Sequence, residues 1–520
     1  MIRISEFKID ALEKTDALPG LIERRLHLPP GGVKSFSIVR ESIDARKKPS
    51  VYKVYTVDIE TENDGRFLSH CRKAGIKAEE APEERPFEIP EADMKGERPV
   101  VAGFGPCGIF AALTLARAGA KPIVLERGPS MEERVKAVEH FWESGQLDPK
   151  ANCQFGEGGA GTFSDGKLTT GTRSEFRRFV LEEFVKAGAD KEILYKQKPH
   201  IGTDVLRTVV VNLRKEIESC GGEVRFGTKL EDLILENGKL AGAVLEGGEV
   251  IKTEDLILAL GHSARDTVRT LYGRGLDMER KQFSMGVRIE HPQELIDRAQ
   301  YGTDAEKLGL GPADYKLNVR TADGRGVYTF CMCPGGVVVN ASSHEGCVTC
   351  NGMSYVKRDS GKANSALLAD VRKEDIPGDG PLEGIAFQEK FEKLAFALGG
   401  GDYSLPKERL GSFMTKGELK KCLPGFVYDS LTEAIPMLGK KLKGFDDPDA
   451  LMYAIESRSS SPVRILRSEE GFAMQDERAL EGLYPAGEGA GYAGGIMSAA
   501  CDGVKTALKI IEKNKKRKEA

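Results

Sequence analysis

Three glycines spaced G-x-G-x-x-G, at Gly103, Gly105 and Gly108, and an acid at Glu126 have the types and order needed to bind a dinucleotide. Gly103 suits a tight turn, Gly105 a close approach of backbone to pyrophosphate, and Gly108 close packing of a helix on its strand. A helix starting there presents free N–H groups to the phosphates, and a carboxylate at Glu126 can accept ribose hydroxyls. The spacing recurs at Gly156, Gly158 and Gly161 and at Gly489, Gly491 and Gly494. Neither later copy has the strand before it and the acid-terminated strand after it that the site requires.

A second glycine-rich turn, Gly487-Glu488 through Gly494-Gly495, lies far downstream between an apolar stretch and a helical one. A nicotinamide enzyme needs one such crevice. A larger cofactor with two phosphates and a ribityl chain needs a second contact, so the expected cofactor is FAD, with NAD(P)H at most a transient electron donor. Four thiols, Cys331, Cys333, Cys347 and Cys350, form C-x-C and C-x-x-C pairs. They are read as a metal site, a redox pair beside the flavin, or small buried side chains, and no metal is expected. His262, His344 and Arg458 are further candidates, the last as a clamp for a substrate carboxylate. Catalytic residues are not fixed by these patterns; Cys331, Cys333, His344 and Arg458 are the ones carried forward.

These residues need elements to hold them. Alternation over Arg3–Asp10, Val33–Arg40 and Val51–Glu60 predicts strands, with a helix over Ala17–Leu28 stopped by Pro29-Pro30. Leu230–Glu236, Leu240–Leu245 and Val250–Thr253, punctuated by Asn237-Gly238 and Gly247-Gly248, predict a three-stranded meander. Thr203–Cys220 reads as a helix, and Gly222–Phe226 and Asp255–Gly261 read as strands. The expected fold is α/β: a Rossmann-like FAD-binding domain with a β-meander crossover, an inserted α+β substrate or cap domain, and a small N-terminal α+β domain. The expected boundaries are 1–77 for the N-terminal domain, 78–97 for a linker that packs on nothing, and 98–270 and 466–520 for the two parts of the FAD-binding domain. Residues 271–465 make the cap.

The 520-residue chain carries a net charge of −4 and ten cysteines. That balance argues against a nucleic-acid surface, and thiols in a chain without a signal-like start point to a reducing compartment, the cytoplasm. No apolar run approaches the ~18 residues that span a bilayer. Arg40, Arg46, Lys47 and Lys48 keep one alternative open, a flavin-fold protein acting in RNA modification or binding through its N-terminal domain. Glu41 and Asp44 interleave with that cluster and favour a solvated face. The basic end, Lys513–Lys518, is read as a frayed tail.

Five segments carry a resemblance: Gly103–Gly108, Phe155–Lys167, Phe330–Gly336, Ser459–Arg464 and Tyr484–Gly495. On them the chain resembles the glutathione-reductase-type FAD-binding fold and, more narrowly, a bacterial family of FAD-dependent dehydrogenases with no settled substrate. The resemblance implies that Glu126 and Arg127 hold the adenosine ribose, and Gly105, Pro106, Cys107 and Gly108 the pyrophosphate. It implies Gly158, Gly159, Ala160, Gly161, Thr162 and Leu168 along the ribityl chain and flavin, and Leu230 at adenine, with Ala259 and Gly261 nearby. Gly487, Glu488, Gly495 and Ile496 would close over ribityl and ring, although the fold often has Asp where this chain has Glu488. The activity implied is hydride transfer between a small-molecule substrate, or NAD(P)H, and flavin N5.

Overall fold

The computed structural model describes residues 1–83, 86–91 and 96–519. Its centre is a five-stranded parallel sheet in the order Leu483–Pro485, Leu256–Leu258, Val100–Ala102, Ile123–Leu125, Glu223–Arg225. Side chains alternate across these strands, so each face buries a different set. Val101, Val124, Ile257 and Tyr484 pack on the helices Pro106–Arg117, Arg177–Lys186, Thr203–Ser219 and Ile496–Glu519. Val100, Ala102, Leu256 and Leu258 pack on the meander Leu230–Glu236, Lys239–Leu245, Val250–Lys252. The meander, both glycine turns and the Thr203 helix fall where turn chemistry and alternation predict them.

The crossing of the first and last helices is unusually close. A Cβ at Gly503 would run into the Cys107 carbonyl, so only glycine lets the Ile496–Glu519 helix lie across the start of the Pro106–Arg117 helix. Both helix N-termini are thereby brought to one place.

The cap is a six-stranded antiparallel sheet in the order Asn318–Arg320, Gly326–Pro334, Lys362–Val371, Phe283–Pro292, Leu451–Glu456, Lys407–Arg409. The helices Gln293–Tyr301, Glu383–Leu398 and Gly425–Lys441 contribute to its core. The expected boundary at 270 falls inside the helix Arg265–Gly273, because nothing in that segment stops a helix before Gly273.

The N-terminal unit differs from expectation in three ways. Its helix is Leu18–Arg25, preceded by a single turn, and a further helix, Asp64–Lys73, is capped by the Asn63 side chain, which accepts the Arg66 N–H. The strand Ala78–Glu80 pairs with Ile2–Ile4, so the sheet runs past the expected end at 77. The linker also packs: Phe87 meets Phe176 and Phe179 edge-on at 5.1 and 5.2 Å, burying apolar area that a solvated spacer would expose. Residues 84–85 and 92–95 of that linker lie outside the described residues, as do the side chains of 517–519. The basic end is not frayed: it continues the Ile496–Glu519 helix, and Lys513 is paired with the buried Asp255. Of the basic cluster, Arg46 is paired with Asp44 at 2.8 Å, which follows from the interleaved acids.

Candidate functional site

The two glycine turns, the end of the second strand and the edge of the cap converge on one cavity of about 670 Å³. Its floor is Gly103, Gly105, Pro106 and Cys107, its sides are Glu126, Arg127, Leu230, Ala259 and Gly261, and its far wall is Gly159, Ala160, Gly161, Glu488, Gly495 and Ile496. The cap contributes Lys316, Phe330, Cys331, Asn351, Glu456, Arg458 and Ser459.

Glu126 is a junction of backbone. Its Oε2 accepts the Phe104 N–H, and its Oε1 accepts the N–H groups of Gly128 and Gly156, all at 2.9 Å. Three of the roughly four acceptor positions of a carboxylate are thus filled by protein. The carboxylate ties the first turn, the end of the second strand and the 155–161 loop into one rigid rim. Arg127 is paired bidentately with Asp266, at 2.9 and 2.7 Å, and lies over the Phe155 ring at 4.3 Å.

The glycines divide by what they face. Gly103 has φ +105°, and a Cβ there would strike the Ala259 carbonyl, so it is fixed by the turn and the neighbouring strand. Gly108 is needed for the helix to leave that turn, since its Cβ would strike the Gly103 carbonyl. Gly105 has ordinary extended backbone, and a Cβ there would meet only the Gly159 Cα at 3.7 Å. Gly494 and Gly495 would meet nothing within 4 Å. The protein's own packing does not demand these last three glycines, and the room they leave belongs to the cavity. No side chain caps the Pro106–Arg117 helix, and neither it nor the Ile496–Glu519 helix has an acid in its first turn, so both present uncompensated N-terminal dipole ends to an anion. An extended dinucleotide with a pyrophosphate at its middle fits this donor set.

Several expected contacts lie behind the wall instead of on it. Gly158 donates its N–H to the Phe104 carbonyl at 2.9 Å, and Thr162 and Leu168 are fully buried. Gly108 and Gly487 are also set back, the latter against Cys107, with the Gly487 N–H donated to Asp502 at 2.8 Å. The reason is common to all: the segment turns every few residues, so only Gly159, Ala160 and Gly161 of the 158–162 loop reach the front.

The candidate polar groups sort similarly. Arg458 was expected to clamp a substrate carboxylate, yet its five donors are taken within the protein. Glu392 accepts from Nε and Nη2 at 3.0 and 2.7 Å, Ser263 and Ser343 from Nη1 at 3.0 and 2.6 Å, and His344 Nδ1 lies 3.2 Å from Nη2. Burial, with Arg458 and Arg265 adjacent, pushes His344 and His262 down to about 3, so both rings are neutral near pH 7. His344 and Cys333 do not line the cavity. Cys331 does, and burial pushes Glu488 up to about 7 against the pull of Lys281. Among the described residues no group of three or more His, Cys, Asp or Glu is placed to hold a metal ion.

Two supports escape a reading by pattern. Arg134 is fully buried and donates to the carbonyls of Asn152, Glu157 and Gly159 at 3.0, 2.7 and 3.0 Å, which holds the 152–159 loop in shape. Glu392 is fully buried between Arg265 and Arg458, at 2.8 and 2.7 Å. In sequence Arg134 stands beside Glu132 and Glu133 and looks like an exposed charge; its partners are all backbone, which leaves no mark on composition.

The fold is mixed α/β, and its cavity has the donor set that a dinucleotide would fit. Residues 282–418 and 414–459 match the family described as FAD-dependent protein, C-terminal domain-like, and residues 1–60 match a domain of unknown function. The chain is 46% identical over 532 residues to an uncharacterized protein of Clostridium beijerinckii, covering 98% of this chain and 99% of that one. The chain belongs to one family with this Clostridium protein, and its cap matches the FAD-dependent protein, C-terminal domain-like model. Solved structures it resembles include L-proline dehydrogenase from P. horikoshii (TM-score 0.35, 12% identity, 82% of this chain and 95% of that). Others are glycine oxidase from Bacillus cereus (0.32, 10%, 80% and 95%) and 3-ketosteroid-Δ4-(5α)-dehydrogenase from Rhodococcus jostii (0.35, 12%, 82% and 99%). No helix among the described residues is long and apolar enough to cross a membrane.

Proposed function

We propose that the chain is an FAD-dependent oxidoreductase that acts on a small-molecule substrate held between the cavity's far wall and the cap. The observation that carries this is the convergence of two helix N-termini, neither with an acid in its first turn, and the Glu126 rim on a single cavity. Glu126, Thr228, Lys229 and Leu230 would hold the adenosine half, and Gly105 to Cys107 with the first helix the pyrophosphate. Gly159 to Gly161 and Gly494 to Ile496 would hold the flavin half. When bound, FAD supplies hydride transfer at its N5, which the protein need only position and shield.

The chain's own residues supply the rest. The Ile496 helix start presents positive dipole to the flavin end of the cavity, where it would stabilise negative charge. Phe330, Cys331 and Asn351 from the cap cover that end and exclude water. Glu488, with its carboxyl near neutrality in protonation, is the cavity group suited to hold or release a proton around pH 7. His262 and His344, held neutral, are not proton donors there.

The test is anaerobic. Purified protein should carry, or take up from solution, one FAD per chain and show oxidised flavin absorbance. Bleaching of that absorbance by NADH, by NADPH or by a member of a metabolite panel identifies the donor. A protein that binds no FAD in a fluorescence titration would overturn the proposal.

A further inference from the structure

Cys331 and Cys333 stand on the cap strand Gly326–Pro334 where its pairing with Lys362–Val371 slips, between Phe330 and Cys333. Cys331 has φ +41°, a left-handed conformation that costs a non-glycine residue free energy and is found where surrounding structure enforces it. In a regular strand residues i and i+2 stand about 6.7 Å apart, at the limit of what a disulfide spans. The bulge at this point takes the pair out of that regular spacing. Within it the Cys333 thiol turns back to lie 3.3 Å from the Cys331 carbonyl oxygen.

The two thiols are not equivalent. Cys331 is partly exposed and lines the cavity, whereas Cys333 is fully buried beneath it. Of the ten cysteines only Cys331 and Cys220 are not buried. Below the pair, the buried Arg288 donates from Nη2 to the Cys331 carbonyl at 3.0 Å. Lys167, on the cavity wall, is 3.9 Å from its nearest acid, Asp165. A hydrogen bond from Cys333, with the charges of Lys167 and Arg288, draws the Cys331 thiol below its ordinary value, and the same interaction pushes Cys333 up.

We infer that Cys331 and Cys333 are an attacking and a resolving thiol, and that the cavity's cap side exchanges electrons with a small disulfide bearing a carboxylate. The Cys331 thiolate attacks one sulfur of the disulfide, forming a Cys331–substrate mixed disulfide and releasing one half as a thiolate. The Cys333 sulfur then attacks Cys331 Sγ, which breaks the mixed disulfide and releases the second half. The two thiol protons leave with the two released thiols. The protein is oxidised by two electrons to a Cys331–Cys333 disulfide, and the small disulfide is reduced to two thiols. Lys167 and Lys316, both on the cavity wall, are the cations that would face the carboxylate. This step requires no flavin, so it stands or falls apart from the proposed function.

The test uses the full-length protein as purified, after removal of reductant under argon, with dithiobis(nitrobenzoate), an aromatic disulfide with carboxylates. The expected result is a fast release of two thionitrobenzoate groups per chain. The tryptic peptide Gly326–Lys357, which also holds Cys347 and Cys350, should then be lighter by two hydrogens and carry no adduct, and its fragmentation should place the loss at Cys331 and Cys333. Cys333→Ser should release one group and retain the adduct on Cys331. Cys331→Ser should lose the fast phase, leaving reaction at Cys220 slower by about tenfold or more. If the wild-type peptide keeps the adduct, Cys333 does not resolve and the pair is overturned. If Cys331 reacts no faster than Cys220, the attacking role is overturned. Peptide mapping of the wild type alone decides both, whatever the variants' folding.

Discussion

The Glu126 carboxylate accepts the Phe104 N–H at 2.9 Å, which binds the end of the second strand to the middle of the glycine turn. Its other oxygen reaches Gly128 and Gly156, so one side chain sets the distance between three loops of the cavity. Replacing Glu126 by Gln turns one of these oxygens into a donor that faces N–H groups. Hydrogen bonds to a charged acceptor contribute about 1.5–3 kcal/mol each, and the substitution loses at least one. Glu126→Gln should lower unfolding free energy by about 2 kcal/mol in urea titration and weaken FAD binding by tenfold or more. An unchanged FAD affinity would remove Glu126 from the site.

Gly105 and Gly103 separate ligand space from structural necessity. At Gly105 a valine side chain enters the cavity and meets only Gly159 Cα at its base, whereas at Gly103 even alanine strikes the Ala259 carbonyl. Gly105→Val should therefore fold with near-native unfolding temperature and fail to retain FAD. Gly103→Ala should lose stability with or without flavin. A flavin-replete Gly105→Val protein would show that no ligand passes over that turn.

The contrast between these glycines marks how far the sequence was informative. Gly103, Gly105 and Gly108 lie within six residues, and turns and alternation announce the meander at Leu230–Lys252 as clearly. Such features depend on neighbours along the chain. The order of the cap sheet pairs Phe283–Pro292 with both Lys362–Val371 and Leu451–Glu456, and no local pattern encodes that choice. The same holds for Arg458: its spacing suggested a substrate clamp, and its actual carboxylate, Glu392, comes from a helix 66 residues away. Phe87 in a charged, proline-rich stretch looked solvated because its partners Phe176 and Phe179 belong to another element.

The Arg265–Glu392–Arg458 cluster should behave as structure. Burial opposes ionisation of Glu392, yet the two guanidiniums hold its carboxyl well below the usual range. The stability it contributes is present above the unfolded-state value near 4.3 and is lost as pH falls toward the folded-state value. Glu392→Gln leaves two buried cations with weakened partners, a loss of about 3–5 kcal/mol. Denaturant unfolding at pH 7 checks the magnitude. Arg458→Ala should show the same loss of stability, not a selective rise in KM for acidic substrates.

Glu488 should give the opposite pH response. Its carboxyl is pushed up to about 7 by burial, Lys281 opposing, and its nearest histidine, His262, is 3.8 Å away and neutral. Below the unfolded-state value near 4.3, folded and unfolded chains both carry the proton, and the buried carboxyl brings no penalty. Between there and about 7 the unfolded chain ionises while the folded one retains its proton, so stability declines with rising pH. Above about 7 the decline is complete and amounts to at most about 4 kcal/mol. Glu488→Gln, which cannot ionise, should remove this slope in the flavin-free protein and leave it more stable than wild type at pH 8. Parallel pH profiles for the two proteins would mean that Glu488 is already ionised in the folded state, and its role as the cavity's proton carrier would fall with it.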